Sequence, residues 1–206
     1  MTAADTFLAL SAFTFVSSIT PGPNNMMLMA SGMNYGLGRT LPHMVGVTLG
    51  VCLMIALVGV GLGQVFVQFP VIHTVLKIVS VIYLLYLAWQ IATADAPKEK
   101  TKATAAGDAH RPMTLMEAMI FQWVNPKAWT MCLTAVTVYL PPRPNLLVVL
   151  PVIVVFGVIN FPSVGVWTLL GVQLRAWLTD PVRRRWFNWT AALLLVLSLY
   201  PIVLEH

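Results

Sequence analysis

The segment Ser17-Ser18-Ile19-Thr20-Pro21-Gly22-Pro23-Asn24-Asn25 interrupts an apolar run, Thr6 to Tyr35, that is otherwise long enough to cross a bilayer as one helix. Pro21 and Pro23 each lack a backbone N–H, and their rings clash with the carbonyls of Ser17 and Ile19. In hydrocarbon an unpaired backbone group costs several kcal/mol, so broken backbone survives only where protein or a cavity satisfies it. The break reads either as a packing kink or as the wall of a cavity. A second break, Asn125-Pro126-Lys127, lies near the centre of a later apolar run and favours the cavity.

Composition narrows the class. The 206 residues are 58% hydrophobic and 9% charged, where a soluble domain carries about 25% charged residues. With a mean hydropathy of +0.81, the chain reads as an integral membrane protein. The sequence pI near 9.5 reflects loop charge that sets topology and does not mark a nucleic-acid surface. Cys52 and Cys132 fall inside apolar runs without metal-ligand spacing, so no disulfide, metal or cofactor is expected. No secretory signal is evident, and Leu204-Glu205-His206 reads as the start of a tag scar.

Six spans are expected, at about Thr6–Tyr35 (broken), Leu41–Val67, Val71–Ala92, Thr114–Leu140 (broken), Leu146–Val172 and Trp186–Leu204. The loops after spans one, three and five hold Arg39, Lys98, Lys100, Lys102, Arg111, Arg175, Arg183, Arg184 and Arg185. The opposite loops hold Arg143 alone, so the positive-inside rule puts the basic side in the cytoplasm and both termini outside. Trp89, Tyr139, Trp177, Trp186 and Trp189 read as interfacial anchors, as do Asp5, His43, His73 and Glu117 near span ends. Lys77 reads as a snorkelling side chain. Gly32/Gly36 and Gly46/Gly50 have the spacing that lets helices approach closely.

Spans one and four are separated by an odd number of crossings and run in opposite directions. The expected fold is therefore all-α, six transmembrane helices in two inverted three-helix repeats with spans one and four broken. It forms a single transporter domain over 1–206, with repeats at about 6–92 and 114–204 and a cytoplasmic loop at 93–113. Asn125 before Pro126 has the form of a helix restart, with Asn as N-cap and Pro at the first helical position, and Thr20-Pro21 has the same form. Lys127 would cost about 2.5–3.5 kcal/mol near the bilayer centre. An anion bound at a half-helix start explains that cost; a lysine touching freed carbonyls is the plainer alternative. A zwitterion would place its carboxylate at Lys127 and its ammonium on the carbonyls freed at Ser17, Ile19 or Gln122. Asn24, Asn125 and Asn160 would orient either group, and the kink at Asn160-Phe161-Pro162 would add a polar wall.

These residues carry a resemblance. Thr20-Pro21-Gly22-Pro23-Asn24, then Gly36, Arg39, Gly46 and Gly50, then Asn125-Pro126-Lys127, resemble the LysE/RhtB family of amino-acid exporters. Tyr83-Leu84-Leu85-Tyr86-Leu87-Ala88-Trp89 is similar to its cysteine/O-acetylserine exporter branch. The resemblance implies a secondary transporter in the bacterial inner membrane, not an enzyme. It would export small neutral or polar amino acids, with coupling to protons, and form a homodimer. Many members carry aspartate where this chain has Asn24, so the chain offers no carboxylate there. The competing reading is a membrane thiol–disulfide carrier using Cys52 and Cys132. A passive channel is disfavoured, because a midplane break suits alternating access better than a continuous pore.

Overall fold

The computed structural model describes residues 2–62, 68, 70–93, 111–142, 144–177 and 180–200. Val67, Lys98, Lys100, Lys102, Arg143, Leu204 and the side chains of His73 and Trp177 lie outside the described residues. Among the described residues every regular element is helical. Two elements, α1 (Ala3–Ile19) and α2 (Pro23–Tyr35), meet at a 55° bend. Gly36, at φ 80°, turns the chain directly into α3 (Leu37–Leu57), which continues through a π-helical turn at Val58–Leu62. Only glycine adopts that backbone without strain. Then come α4 (Pro70–Ala92), α5 (Leu115–Phe121), a 3-10 turn at Gln122–Val124 and α6 (Pro126–Tyr139). Two further helices, α7 (Leu146–Trp177) and α8 (Pro181–Leu197), complete the described chain.

Both broken spans start on the same device. At α1 the Thr2 hydroxyl accepts from the Asp5 N–H while the Asp5 carboxylate accepts from the Thr2 N–H, and Thr114 and Glu117 do the same at α5. Each capping box satisfies two N–H groups that would otherwise be orphaned at the helix start. Glu117 also pairs with both arms of the Arg111 guanidinium, and this holds the Arg111 pKa above its ordinary value. So Glu117 is tied into a helix start, beyond the plain interfacial role expected of it.

Packing follows small residues. α2 runs along α7, α3 lies against α5 and α7, α1 leans on α7, and α4 pairs with α8. A Cβ on Gly32 would overlap the Thr168 carbonyl, and one on Gly171 would overlap that of Met29, so α2 and α7 touch backbone to backbone. Gly46 brings α3 equally close to the Leu115 carbonyl of α5, and Gly50 brings it close to the Met119 backbone and the Gln122 side chain. These seams lie within the chain. Polarity is inverted relative to a soluble fold: Thr14, Ser18, Asn25, Thr48, Gln122, Asn125 and Asn160 are buried, while Leu8, Phe15, Ile82, Leu147, Val158 and Leu193 are exposed. An outer surface of that kind belongs in lipid.

Several expectations shift. Two helices, Leu37–Leu62 and Leu146–Arg175, are long and apolar enough to cross a membrane, and the bent pair α1–α2 makes a third. The rest fall short in the described residues: the apolar part of α4 is Lys77–Ala92, span four is divided by its break, and α8 has 17 residues. Span five extends to Trp177 with Pro151 and Pro162 inside a continuous helix, so the Asn160-Phe161-Pro162 kink does not break it. Tyr139, expected as an interfacial anchor, is half-buried, lies tilted against Phe13 and donates to the Ala9 carbonyl at 3.3 Å. His43, expected near the interface, is buried within the fold at 1% exposure.

The seams give a direct test. Gly32→Ala should separate α2 from α7 and lower the melting temperature of the detergent-purified protein, in line with an overpacking cost of about 1–3 kcal/mol. Gly38→Ala, whose Cβ meets nothing within 4 Å, should leave it unchanged. Equal melting temperatures for the two variants would contradict the backbone contact.

Candidate functional site

The two breaks face each other. At the first, α1 ends at Ile19 and α2 restarts with Gly22 as N-cap and Pro23 at its first position. The restart therefore falls two residues beyond the Thr20-Pro21 expected from sequence, because either proline satisfies the same rule. At the second, Asn125 is the N-cap: its side-chain oxygen accepts from the Lys127 N–H at 3.1 Å, and Pro126 opens α6.

The carbonyls of Ser17, Ser18, Ile19, Thr20, Gln122 and Trp123, at the two breaks, have partners within the chain. Ser17 O accepts from the Thr20 hydroxyl at 3.1 Å, and Ile19 O from the Trp167 indole at 2.9 Å. The Asn25 amide donates to Ser18 O and Thr20 O at 2.9 and 2.7 Å. Gln122 O takes the Asn125 N–H at 3.2 Å, and Trp123 O takes the Trp129 indole at 2.8 Å. The three carbonyls expected to await a substrate ammonium are thus already engaged.

Half-buried Lys127 links the breaks. Its ammonium donates to Thr20 O at 2.7 Å, the Thr20 hydroxyl at 2.9 Å and Pro21 O at 3.2 Å. A hydrogen bond to a charged group is worth about 1.5–3 kcal/mol, so three of them offset the insertion cost of about 2.5–3.5 kcal/mol. The lysine stem passes Gly22 so closely that a Cβ there would sit 2.7 Å from Lys127 Cδ. Gly22 is extended, at φ −179°, so that proximity and not its backbone favours glycine.

Two amide clusters flank the lysine. Asn24 and Gln122 exchange hydrogen bonds at 2.7 and 3.1 Å, and Gln122 also accepts from Asn125 at 3.4 Å. On the other side Asn160 donates to the Ser18 hydroxyl and accepts from the Thr48 hydroxyl, both at 3.1 Å. Gly22, Asn24, Asn125, Lys127 and Asn160 line one cavity of about 20 Å³. That is room for one water and not for an amino acid. Thr20 and Pro21 are exposed and contribute oxygens to the lysine; Pro23 is buried and Pro126 half-buried, each fixing a helix start.

Sequence reasoning missed Ser18, Asn25, Thr48, Trp167 and the side chain of Gln122, of which it named only the carbonyl. Gln122 carried a legible signal, a polar residue one helical turn before Asn125 in an apolar span. Nothing local marks Trp167 as the partner of Ile19. Cys52 and Cys132 are free thiols, facing the carbonyls of Ile153 and Val51 at 3.6 and 3.8 Å. Among the described residues no group of His, Cys, Asp and Glu could hold a metal ion.

Known proteins are similar to this chain in sequence. A cysteine/O-acetylserine efflux protein of Salmonella paratyphi A is 29% identical over 140 residues, 66% of this chain and 68% of that protein. One of Shigella flexneri serotype 5b, of the same description, is 26% identical over 169 residues, 80% of this chain and 83% of its own. No solved structure matches the chain. The profile of the family described as LysE type translocator matches residues 15–200, and the chain belongs to that family.

Proposed function

We propose that the chain is a secondary transporter that exports small neutral or polar amino acids from the bacterial cytoplasm across the inner membrane, coupled to protons. The observation that carries this reading is the Lys127 ammonium seated on the carbonyls of Thr20 and Pro21. An amino acid has both halves of that contact. Its carboxylate replaces the carbonyls at Lys127, and its ammonium takes the carbonyls that Lys127 leaves. The exchange conserves charge and hydrogen bonds, so substrate enters at little electrostatic cost. With about 20 Å³ available, α2 and α6 must separate for it to occur. The efflux proteins of cysteine and O-acetylserine among its relatives support cargo of this size and polarity.

The architecture that goes with this function is six spans in two inverted repeats, with the basic loops in the cytoplasm. Pairwise packing supports it. Span one (α1–α2) lies on α7 of the second half, and span four begins with α5 on α3 of the first half. The third helices of each half, α4 and α8, pair with each other. A two-fold relation between halves requires that exchange of partners. The homodimer expected for the family would use an apolar outer face, since the glycine seams at Gly32, Gly46 and Gly50 are occupied within the chain.

Inside-out vesicles test the function. They should accumulate O-acetyl-L-serine or L-cysteine when a proton gradient is imposed, and much less when it is collapsed. Absence of uptake across a full amino-acid panel would remove the reading. Asp108→Cys, with Cys52 and Cys132 replaced by alanine, tests orientation. This variant should keep export, and an impermeant thiol reagent should label it only after the cells are opened. Labelling of intact cells would reverse the topology, and lost export would revive the thiol–disulfide carrier.

A further inference from the structure

Three buried side chains from three helices form a triad beside the breaks: Ser18 on α1, Thr48 on α3 and Asn160 on α7. The Thr48 hydroxyl donates to Asn160 Oδ1 at 3.1 Å, and Asn160 Nδ2 donates to Ser18 Oγ at 3.1 Å. Ser18 and Asn160 line the cavity that Lys127 also lines, and Thr48 is not on its wall.

The protons of the triad do not all find acceptors. Thr14 and Ser17 turn their hydroxyl protons back onto α1, to the carbonyls of Leu10 and Phe13 at 2.8 and 2.7 Å. The Ser18 hydroxyl accepts from Asn160, and its own proton has no acceptor among the described residues. Asn160 spends one of its two N–H groups on Ser18, and the second has no described acceptor. Two donors are therefore spare, and both belong to residues on the cavity wall.

The amide set the other way would exchange these hydrogen bonds one for one. Asn160 Oδ1 would accept from Ser18, Nδ2 would donate to Thr48, and the Thr48 proton would be left over. Thr48 is buried and off the cavity wall, and a buried donor without a partner is costly. Thr48 thus favours the setting in which Ser18 and Asn160 keep donors to offer, and the amide oxygen is spent.

Donors beside a lysine ammonium suit an anionic group. We propose that Ser18 and Asn160 take one oxygen of the cargo carboxylate while Lys127 takes the other, and that Thr48 is a positioning residue that sets their polarity without touching cargo. It rests on the reading that an amino acid enters at Lys127. The triad belongs to α1, α3 and α7, so the separation of α2 from α6 leaves it in place for the cargo that enters. The cargo ammonium is then left to the Thr20 and Pro21 carbonyls, which fixes the direction in which the amino acid lies.

Uptake of radiolabelled O-acetyl-L-serine or L-cysteine by inside-out vesicles tests this, with KM and the maximal rate per inserted molecule measured separately. Thr48→Val keeps the shape of threonine without its hydroxyl. It should raise KM about tenfold, as for one lost hydrogen bond to a charged group, and leave the maximal rate within about twofold. Thr48→Ser keeps the donor and should retain the wild-type KM. Asn160→Asp has an oxygen on both sides and draws the Ser18 proton to itself, so it should raise KM further than Thr48→Val. That variant also covers the case in which the valine protein inserts poorly. An unchanged KM in Thr48→Val would overturn the proposal. So would an equal rise in the serine and valine variants, which means packing alone, or a lower KM in Asn160→Asp, which would give the corner to the cargo ammonium. No uptake by wild-type vesicles would remove the transport reading, and the proposal with it.

Discussion

A lysine ammonium on the carbonyls of a broken helix is the contact on which the rest of this structure depends. Lys127 belongs to the second break and Thr20 and Pro21 to the first, so the three hydrogen bonds join two helices that are each incomplete alone. The cation needs acceptors because it is half-buried in an apolar fold, and the Thr20 and Pro21 carbonyls need donors because the helix is interrupted there. Each defect repairs the other. Both would be costly in isolation, and together they make a polar centre that a substrate of matching charge can enter.

The remaining polar groups around the breaks obey the same constraint. Asn25, Trp167 and Trp129 supply side-chain N–H groups to carbonyls that would otherwise be bare, and the amides of Asn24 and Gln122 satisfy each other. The close seams at Gly32, Gly46 and Gly50 bring the helices near enough for side chains this short to span the gap. In lipid, packing of this kind takes over the role that the hydrophobic effect has in a soluble core.

Much of this was legible in the sequence. Prolines in an apolar run mark a break wherever they occur, and a central lysine marks a place that must be compensated. The register of the first restart was not legible, since Thr20-Pro21 and Gly22-Pro23 are equally good starts and only packing of Lys127 past Gly22 separates them. The burial of His43 was hidden for a related reason. A histidine at the end of an apolar run reads as interfacial unless one knows that α3 begins earlier, at Leu37, and turns that residue inward. The pairing of Asn24 with Gln122 spans 98 residues and leaves no local trace, beyond the presence of two amides in apolar segments.

Export per inserted molecule of Lys127→Met is the measurement closest to the central claim. Removal of a half-buried cation should leave the amount of inserted protein equal to wild type or higher. Turnover should fall about ten- to a hundredfold, the equivalent of one charged hydrogen bond of about 1.5–3 kcal/mol lost to the substrate. Lys127→Arg, which keeps the charge in a wider planar group, should retain part of the activity. A methionine variant that inserts poorly but turns over normally would mean that Lys127 only ties the two breaks together, and would contradict its place in the substrate path.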